Sequence, residues 1–424
     1  MQKPLGSRID MFEWLVRFPV LLNQFANGVE DLYERGPGSR PATFGGSYHN
    51  LAVWGFKVVD SFSIHSEYCD RAINREEGWL EDDFVGLPSG AMYRTAKRVL
   101  NPRFEANRAT WTQVTNLKAI VEKEQTVDAL ILWLGSNDCL GTVVDLQLKD
   151  MTDADVEELE RTGQLNDPIT RRKWNLTNLN LFERDFAFLV DAIAAILPAT
   201  TKVFVGTVPY VTIPPITQGL GSFDGRYFDY YGPFFANAEN YRENPPGKRH
   251  LSRDDVATID QRIDGFNDII RRLVAAQGQQ WTVVEIGSVL GQLAVKRNRQ
   301  SDTPELPLIE RYRDKGWDDH PLLQLEPVPS VLRYGTKDAV RIQGGLFSLD
   351  SVHPTTIGYG IVAEEFLAAM QAAGVEGADP RQLDWPGIIA QDTLIQSPPV
   401  LWDDIVSAAE NNAALWNLLL SFAS

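Results

Sequence analysis

"ILWLGSNDCL", residues 131–140, decides how the rest of the chain is read. An apolar run stops abruptly at Gly135-Ser136-Asn137-Asp138, four residue types that favour turns. Extended back to Ala129, the run predicts a buried strand over Ala129–Leu134. Similar short runs at Asn50–Val53, Lys202–Val208 and Trp281–Ile286 predict three more strands. Longer stretches with apolar residues at helical spacing lie between and after them. These are Phe182–Leu197, stopped by Pro198, Ile259–Val274, and Thr355 to about Ala373, stopped by Gly374. The alternation predicts an α/β fold with a parallel sheet. Open sheets of this kind keep their sites at the carboxyl ends of the strands, which is where the Gly-Ser-Asn-Asp turn falls.

Composition narrows the classes. The 424 residues are 44% hydrophobic and 23% charged, with a formal net charge of -17. Nucleic acid or an anionic membrane surface would require a basic patch, so neither is an expected partner. Cys69 and Cys139 are far apart and match no zinc or redox spacing. No cluster of His, Asp and Glu has ligand spacing, so no metal is expected. No run of eighteen apolar residues predicts a transmembrane helix. Asp10, Glu13 and Arg17 interrupt the opening MQKPLGSRIDMFEWLVRF, which is therefore not a signal peptide. As written, the chain reads as soluble and cytoplasmic; a leader lost upstream would make it secreted.

Three stretches break the strand–helix rhythm and read as insertions, at about 141–173, 214–250 and 288–341, within a domain spanning 1–375. The first contains TDADVEELERTG, an acidic helix capped by Thr152 or Asp153. The second gathers Phe223, Tyr227, Phe228, Tyr230, Tyr231, Phe234, Phe235 and Tyr241 among Gly and Pro, which suits a lid or pocket wall. Tyr230, Tyr231 and Phe234 are its substrate-pocket candidates. Residues 376–424 form a helical extension ending in an amphipathic stretch without Lys or Arg, expected to dock on the domain rather than on a membrane.

Catalytic chemistry is written most sharply in "LDSVHPTTIGYG", residues 349–360. A general-base histidine needs its tautomer and orientation fixed by a partner, and Asp350 stands three residues before His353. Pro354 suits the first turn of the helix that follows. Asn137 can donate a hydrogen bond to a developing oxyanion. In "HNLAVWGFKVVD", residues 49–60, the predicted strand runs into Gly55, whose N–H can point into the same cleft. His320, in "GWDDHP", also precedes a proline but reads as a surface-loop histidine. "NLT" at 175–177 matches a glycosylation sequon by pattern only.

Taken in order, the Gly55 strand, Gly135-x-Asn137-Asp138 and Asp350-x-x-His353-Pro354 resemble the blocks of the SGNH hydrolases, the GDSL esterase and lipase family. "GTVPYVTIPP" and "GGLFSLDSVHPTTIGYG" add to the resemblance, which covers about residues 10–373. It implies a three-layer α/β/α, flavodoxin-like fold and hydrolysis of a carboxylic ester through an acyl-serine, without a cofactor. It makes His353 the general base, Asp350 its orienting partner, and Asn137 and the Gly55 N–H the oxyanion donors. The implied substrate is a small-molecule or lipid-like ester. The family's first block, an apolar strand ending in Gly-Asp-Ser, has no counterpart here. Ser7, in "KPLGSRID", is the nearest vestige, so the sheet is expected to lack its first strand and the nucleophile to have been lost by truncation. The alternative is a relative that keeps the cleft as a non-catalytic binding protein.

Overall fold

The structure is a computed structural model that describes residues 48–76, 91–233, 249–294, 304–399 and 402. Ser7, Phe234 and the stretch expected to form the last helix lie outside the described residues. The chain divides into two compact units, one comprising 1–127, 151–174 and 180–201, the other 128–150, 175–179 and 202–424.

The described part of the first unit is helical. It contains α1 (Ser66–Glu76), α2 (Ala91–Leu100), α3 (Gln113–Glu124), α4 (Asp153–Arg161) and α5 (Leu179–Ile196, from its second residue on). The acidic helix α4 starts as its sequence predicts. Thr152 accepts from the Asp155 N–H, and Asp155 accepts from the Thr152 N–H, closing a capping box. Along α5, Phe182, Phe186, Leu189, Val190 and Ile193 are buried at the three- and four-residue spacing of one helical face. Asp185, on the same face, is buried and holds buried Arg171 at 2.6 Å.

The strand expected at Asn50–Val53 does not form. Its backbone is satisfied otherwise: the Ala52 N–H bonds Asn50 Oδ1, and the Leu51 carbonyl accepts Gln113 Nε2. No described strand pairs with it, and an unpaired strand leaves its peptide groups without a ladder. Gly55 ends this segment at φ +76°, with the Met92 sulfur 3.1 Å from where a Cβ would sit.

The second unit carries the strands β1 (Ala129–Leu132), β2 (Lys202–Gly206), β3 (Thr217–Phe223), β4 (Phe228–Pro233), β5 (Leu251–Ser252), β6 (Trp281–Val284), β7 (Gly335–Lys337) and β8 (Val340–Gln343). Strands β1, β2 and β6 form a parallel sheet in that order, with Ala129 opposite Lys202 and Val203 opposite Trp281. Strands β3, β4 and β5 make an antiparallel sheet, and β7 and β8 a hairpin. The protein is therefore mixed α/β, with a small three-stranded parallel sheet beside antiparallel ones. β2 is central, and Val203 to Gly206 are buried as an inner parallel strand requires.

Helices α6 (Arg253–Ala276), α7 (Ile286–Gln292), α8 (Leu306–Asp314), α9 (Thr356–Ala372) and α10 (Trp385–Gln391) complete this unit. Ser252 and Asp255 box the start of α6. Further along α6, the Asn267 amide brackets Val208, accepting its N–H at 2.7 Å and donating to its carbonyl at 2.9 Å. Val362 and Phe366 of α9 pack with Phe204, Val284 and Ile286. Lys202, at the start of β2, bonds the carbonyl of Ala373 just past the end of α9, whereas Gly206, at the end of β2, lies under Phe366. The helix thus runs antiparallel to the strands. At 1.5 Å per residue its first turns lie toward the carboxyl edge of the sheet.

Candidate active site

The segment before α9 folds into a turn clamped at several points. The Ser348 N–H bonds the His353 carbonyl at 2.8 Å, the Ser351 N–H bonds the Ser348 carbonyl at 2.9 Å, and the Thr355 N–H bonds the Leu346 carbonyl at 3.0 Å. Ser351 takes a left-handed conformation, φ +62°, and its buried hydroxyl has no partner among the described residues. Thr355 caps α9 by accepting from the Gly358 N–H, and Asp392 accepts from the Ile357 N–H.

This turn brings Asp350 and His353 together. His353 Nδ1 lies 2.7 Å from Asp350 Oδ2. The second carboxylate oxygen accepts the Ser348 hydroxyl at 2.6 Å, the Val352 N–H at 2.8 Å and the His353 N–H at 3.0 Å. Burial pushes the Asp350 carboxyl up, but the bond and charge of His353, with Ser348 and the Val352 N–H, outweigh it and hold it below the usual carboxylate range. The bond to Asp350 raises His353 above the ordinary imidazole value, and burial offsets only part of this. Because an ionised carboxylate only accepts, Nδ1 carries the proton and Nε2 keeps its lone pair. The His353 side chain is 43% exposed, and no described hydroxyl is hydrogen-bonded to Nε2.

Asn137 stands in the same unit at the carboxyl end of β1. Gly135, at φ +118°, turns the chain into a single 3-10 turn, Ser136–Asp138. Asp138 is buried, and its Oδ1 accepts the Thr177 hydroxyl while its carbonyl accepts the Thr177 N–H, both at 2.8 Å; it holds the turn. Asn137 is half-buried on that turn. Gly55 belongs to the first unit.

Two signals went unread in the sequence. The Ile216 N–H bonds the Ser351 carbonyl at 2.9 Å, so the root of the aromatic hairpin β3–β4 is tied to the dyad turn. Ser348, whose hydroxyl donates to Asp350 Oδ1, is the other. Within the hairpin, Tyr230 is half-buried and meets His250 edge-on at 5.5 Å. Tyr231 is buried, and its hydroxyl accepts the Phe228 N–H.

His320 is not the surface histidine its acidic neighbours suggest. It is 5% exposed, stacked on Tyr312 at 3.6 Å and met edge-on by Trp385. The Asp318 and Asp319 side chains beside it gave the misleading signal; the apolar contacts come from other elements. Asn175 of the sequon is also buried, with its amide donating to the Gly141 and Gln147 carbonyls and to Asp145. Both cysteines are buried and neither is in a disulfide, and burial pushes the Cys69 thiol up to about 12. Among the described residues no group of three His, Cys, Asp or Glu is arranged to hold a metal ion, and no helix is long and apolar enough to cross a membrane.

No protein-family model, curated protein or solved structure matches this chain.

Proposed function

We propose that the chain is a serine-type carboxylic ester hydrolase of the SGNH kind, with a three-layer fold and with His353 as its general base. The observation that carries this reading is the Asp350–His353 pair: Nδ1 is tied to a carboxylate, and the basic Nε2 is open beyond a half-exposed ring. In the proposed reaction a serine hydroxyl gives its proton to Nε2 as its oxygen bonds the ester carbonyl carbon. Asp350 stabilises the imidazolium, and the proton returns to the departing alkoxide. Water then cleaves the acyl-enzyme by the same route. Asn137, in the same unit as the pair, is the proposed oxyanion donor. The tie between Ile216 and Ser351 supports a role for the aromatic hairpin in selecting a small-molecule or lipid-like ester.

Among the described residues no hydroxyl bonds Nε2, and Ser7 is only the nearest vestige of the family's nucleophile, since no apolar run precedes Gly6 and no Asp separates it from Ser7. The same observation favours the second reading, a binding protein that keeps the cleft without turnover. A fluorophosphonate probe, followed by mass-spectrometric mapping, separates them. The hydrolase reading expects a serine adduct that disappears in His353→Ala. Absence of any adduct, together with retained affinity for a carboxylic acid product and no turnover when a strand ending in Gly-Asp-Ser is supplied ahead of residue 1, would establish the binding protein instead.

A further inference from the structure

We propose that Ser348 is a positioning residue of the dyad, whose hydroxyl sets the orientation and the proton affinity of the Asp350 carboxylate. The inference rests on the reading of His353 as a general base, but its test needs no turnover.

Ser348 is held at three atoms. Its N–H bonds the His353 carbonyl, its carbonyl accepts the Ser351 N–H, and its hydroxyl donates to Asp350 Oδ1 at 2.6 Å. The two backbone bonds keep residue 348 opposite the dyad, so the hydroxyl is delivered by the turn itself. At Oδ1 it joins the Val352 and His353 N–H groups, which leaves Oδ2 as the oxygen facing His353 Nδ1. Of the donors on Oδ1, only the Ser348 hydroxyl comes from a side chain.

Three donors on one oxygen stabilise the ionised carboxylate and make it a poor proton acceptor. That property matters when Nε2 takes a proton. The imidazolium then has two acidic N–H groups, and an orienting carboxylate must hold the Nδ1 proton without removing it. Ser348 therefore acts on His353 through Asp350. Loss of the hydroxyl leaves Asp350 more basic and less well aligned. The carboxylate, with fewer donors to share its charge, then stabilises the imidazolium more strongly.

The test is a ring-nitrogen and ring-proton NMR titration of His353 in the full chain, with His353→Ala identifying its signals. In Ser348→Ala the titration midpoint of His353 shifts upward and the Nδ1–H resonance moves. Ser348→Thr, which keeps the hydroxyl, returns both to the wild-type values. Ser348→Cys, with a weak donor of similar size, falls between and serves if Ser348→Ala does not fold. A midpoint and an Nδ1–H resonance unchanged in a folded Ser348→Ala or Ser348→Cys variant would overturn the proposal. A chain that shows the shift but never forms a fluorophosphonate adduct would retain the positioning role and lose the hydrolase reading. If turnover is present, the acid limb of its pH profile moves with the NMR midpoint in Ser348→Ala while KM stays unchanged.

Discussion

His353 and His320 are both followed by proline, both stand just before a helical segment, and both lie near a carboxylate in the same unit. They differ in which nitrogen is tied. His353 Nδ1 donates to Asp350, which leaves Nε2 open at a ring 43% exposed. His320 Nδ1 instead accepts the Leu322 N–H at 3.3 Å, as the cap of its short helix. Its Nε2 therefore carries the proton in the neutral ring, and it faces Glu364 Oε2 across 3.6 Å, beyond hydrogen-bonding distance. Glu364 is fully buried and takes Lys315 Nζ at 2.6 Å and the Tyr312 hydroxyl at 3.2 Å. Burial pushes its carboxyl up, and His320, Lys315 and Arg311 outweigh that and keep it lowered. The contrast teaches that exposure decides whether a histidine beside a carboxylate keeps a nitrogen available to solvent. The same pair with the ring enclosed is a structural joint.

The largest expected effect would break the comparison if it failed. His353→Ala lowers any esterase turnover by about 10⁶-fold, the scale seen when a triad histidine is removed, with a smaller loss of melting temperature than His320→Ala. His320→Ala does the opposite. It removes a stacked ring from the core and lowers stability by about 2–3 kcal/mol in urea titration, with turnover per folded molecule retained. Equal thermal loss in both variants would mean that the two histidines are not divided in this way.

Glu364→Gln sharpens the structural half of the contrast. It leaves Lys315 and Arg311 with Glu365 as their remaining carboxylate, and about 1.5 kcal/mol of stability is expected to go, read from the urea midpoint.

A third test uses pH. His353 is raised, so its contribution to stability is full below the ordinary imidazole value and is lost as pH rises through the raised one. Asp350 is lowered, so its share is full above the ordinary carboxylate value and is lost as pH falls through the lowered one. The pair therefore stabilises most between the ordinary carboxylate and imidazole values, and Asp350→Asn flattens that part of the melting-temperature profile. Turnover needs neutral His353, so its acid limb lies above the ordinary imidazole value and moves down in Asp350→Asn.

The smallest expected effect is a gain. Ser351→Gly relieves a left-handed serine and removes a buried hydroxyl without a described partner, for about 0.5–1 kcal/mol net of the glycine's extra freedom when unfolded. Calorimetry showing a loss instead would mean that the Ser351 hydroxyl has a partner outside the described residues.

Local periodicity made β1, β2, β6 and the helices α5, α6 and α9 legible, because apolar spacing along one segment is decided by that segment's own neighbours. The same holds for the Asp350–His353 pair, whose partners are three residues apart and closed by one turn. Asn50–Val53 misled because a strand needs a second strand, and the bonds of this segment go to its own side chain and to Gln113. His320 misled for the converse reason: its exposure was read from Asp318 and Asp319, but its burial comes from Tyr312 and Trp385.

By itself, then, the sequence determined the mixed α/β alternation, the starts of α4 and α9 and the Asp350–His353 pair, all of which rest on contacts within a few residues. Tertiary structure alone decided which His–Pro pair keeps an open nitrogen, which strands pair, and that the hairpin root at Ile216 is tied to the dyad turn. Those outcomes depend on groups from eight residues apart, as Tyr312 and His320 are, to more than a hundred, as Ile216 and Ser351 are. No local pattern encodes them, because burial and hydrogen-bond partners are set by what packs from elsewhere in the chain.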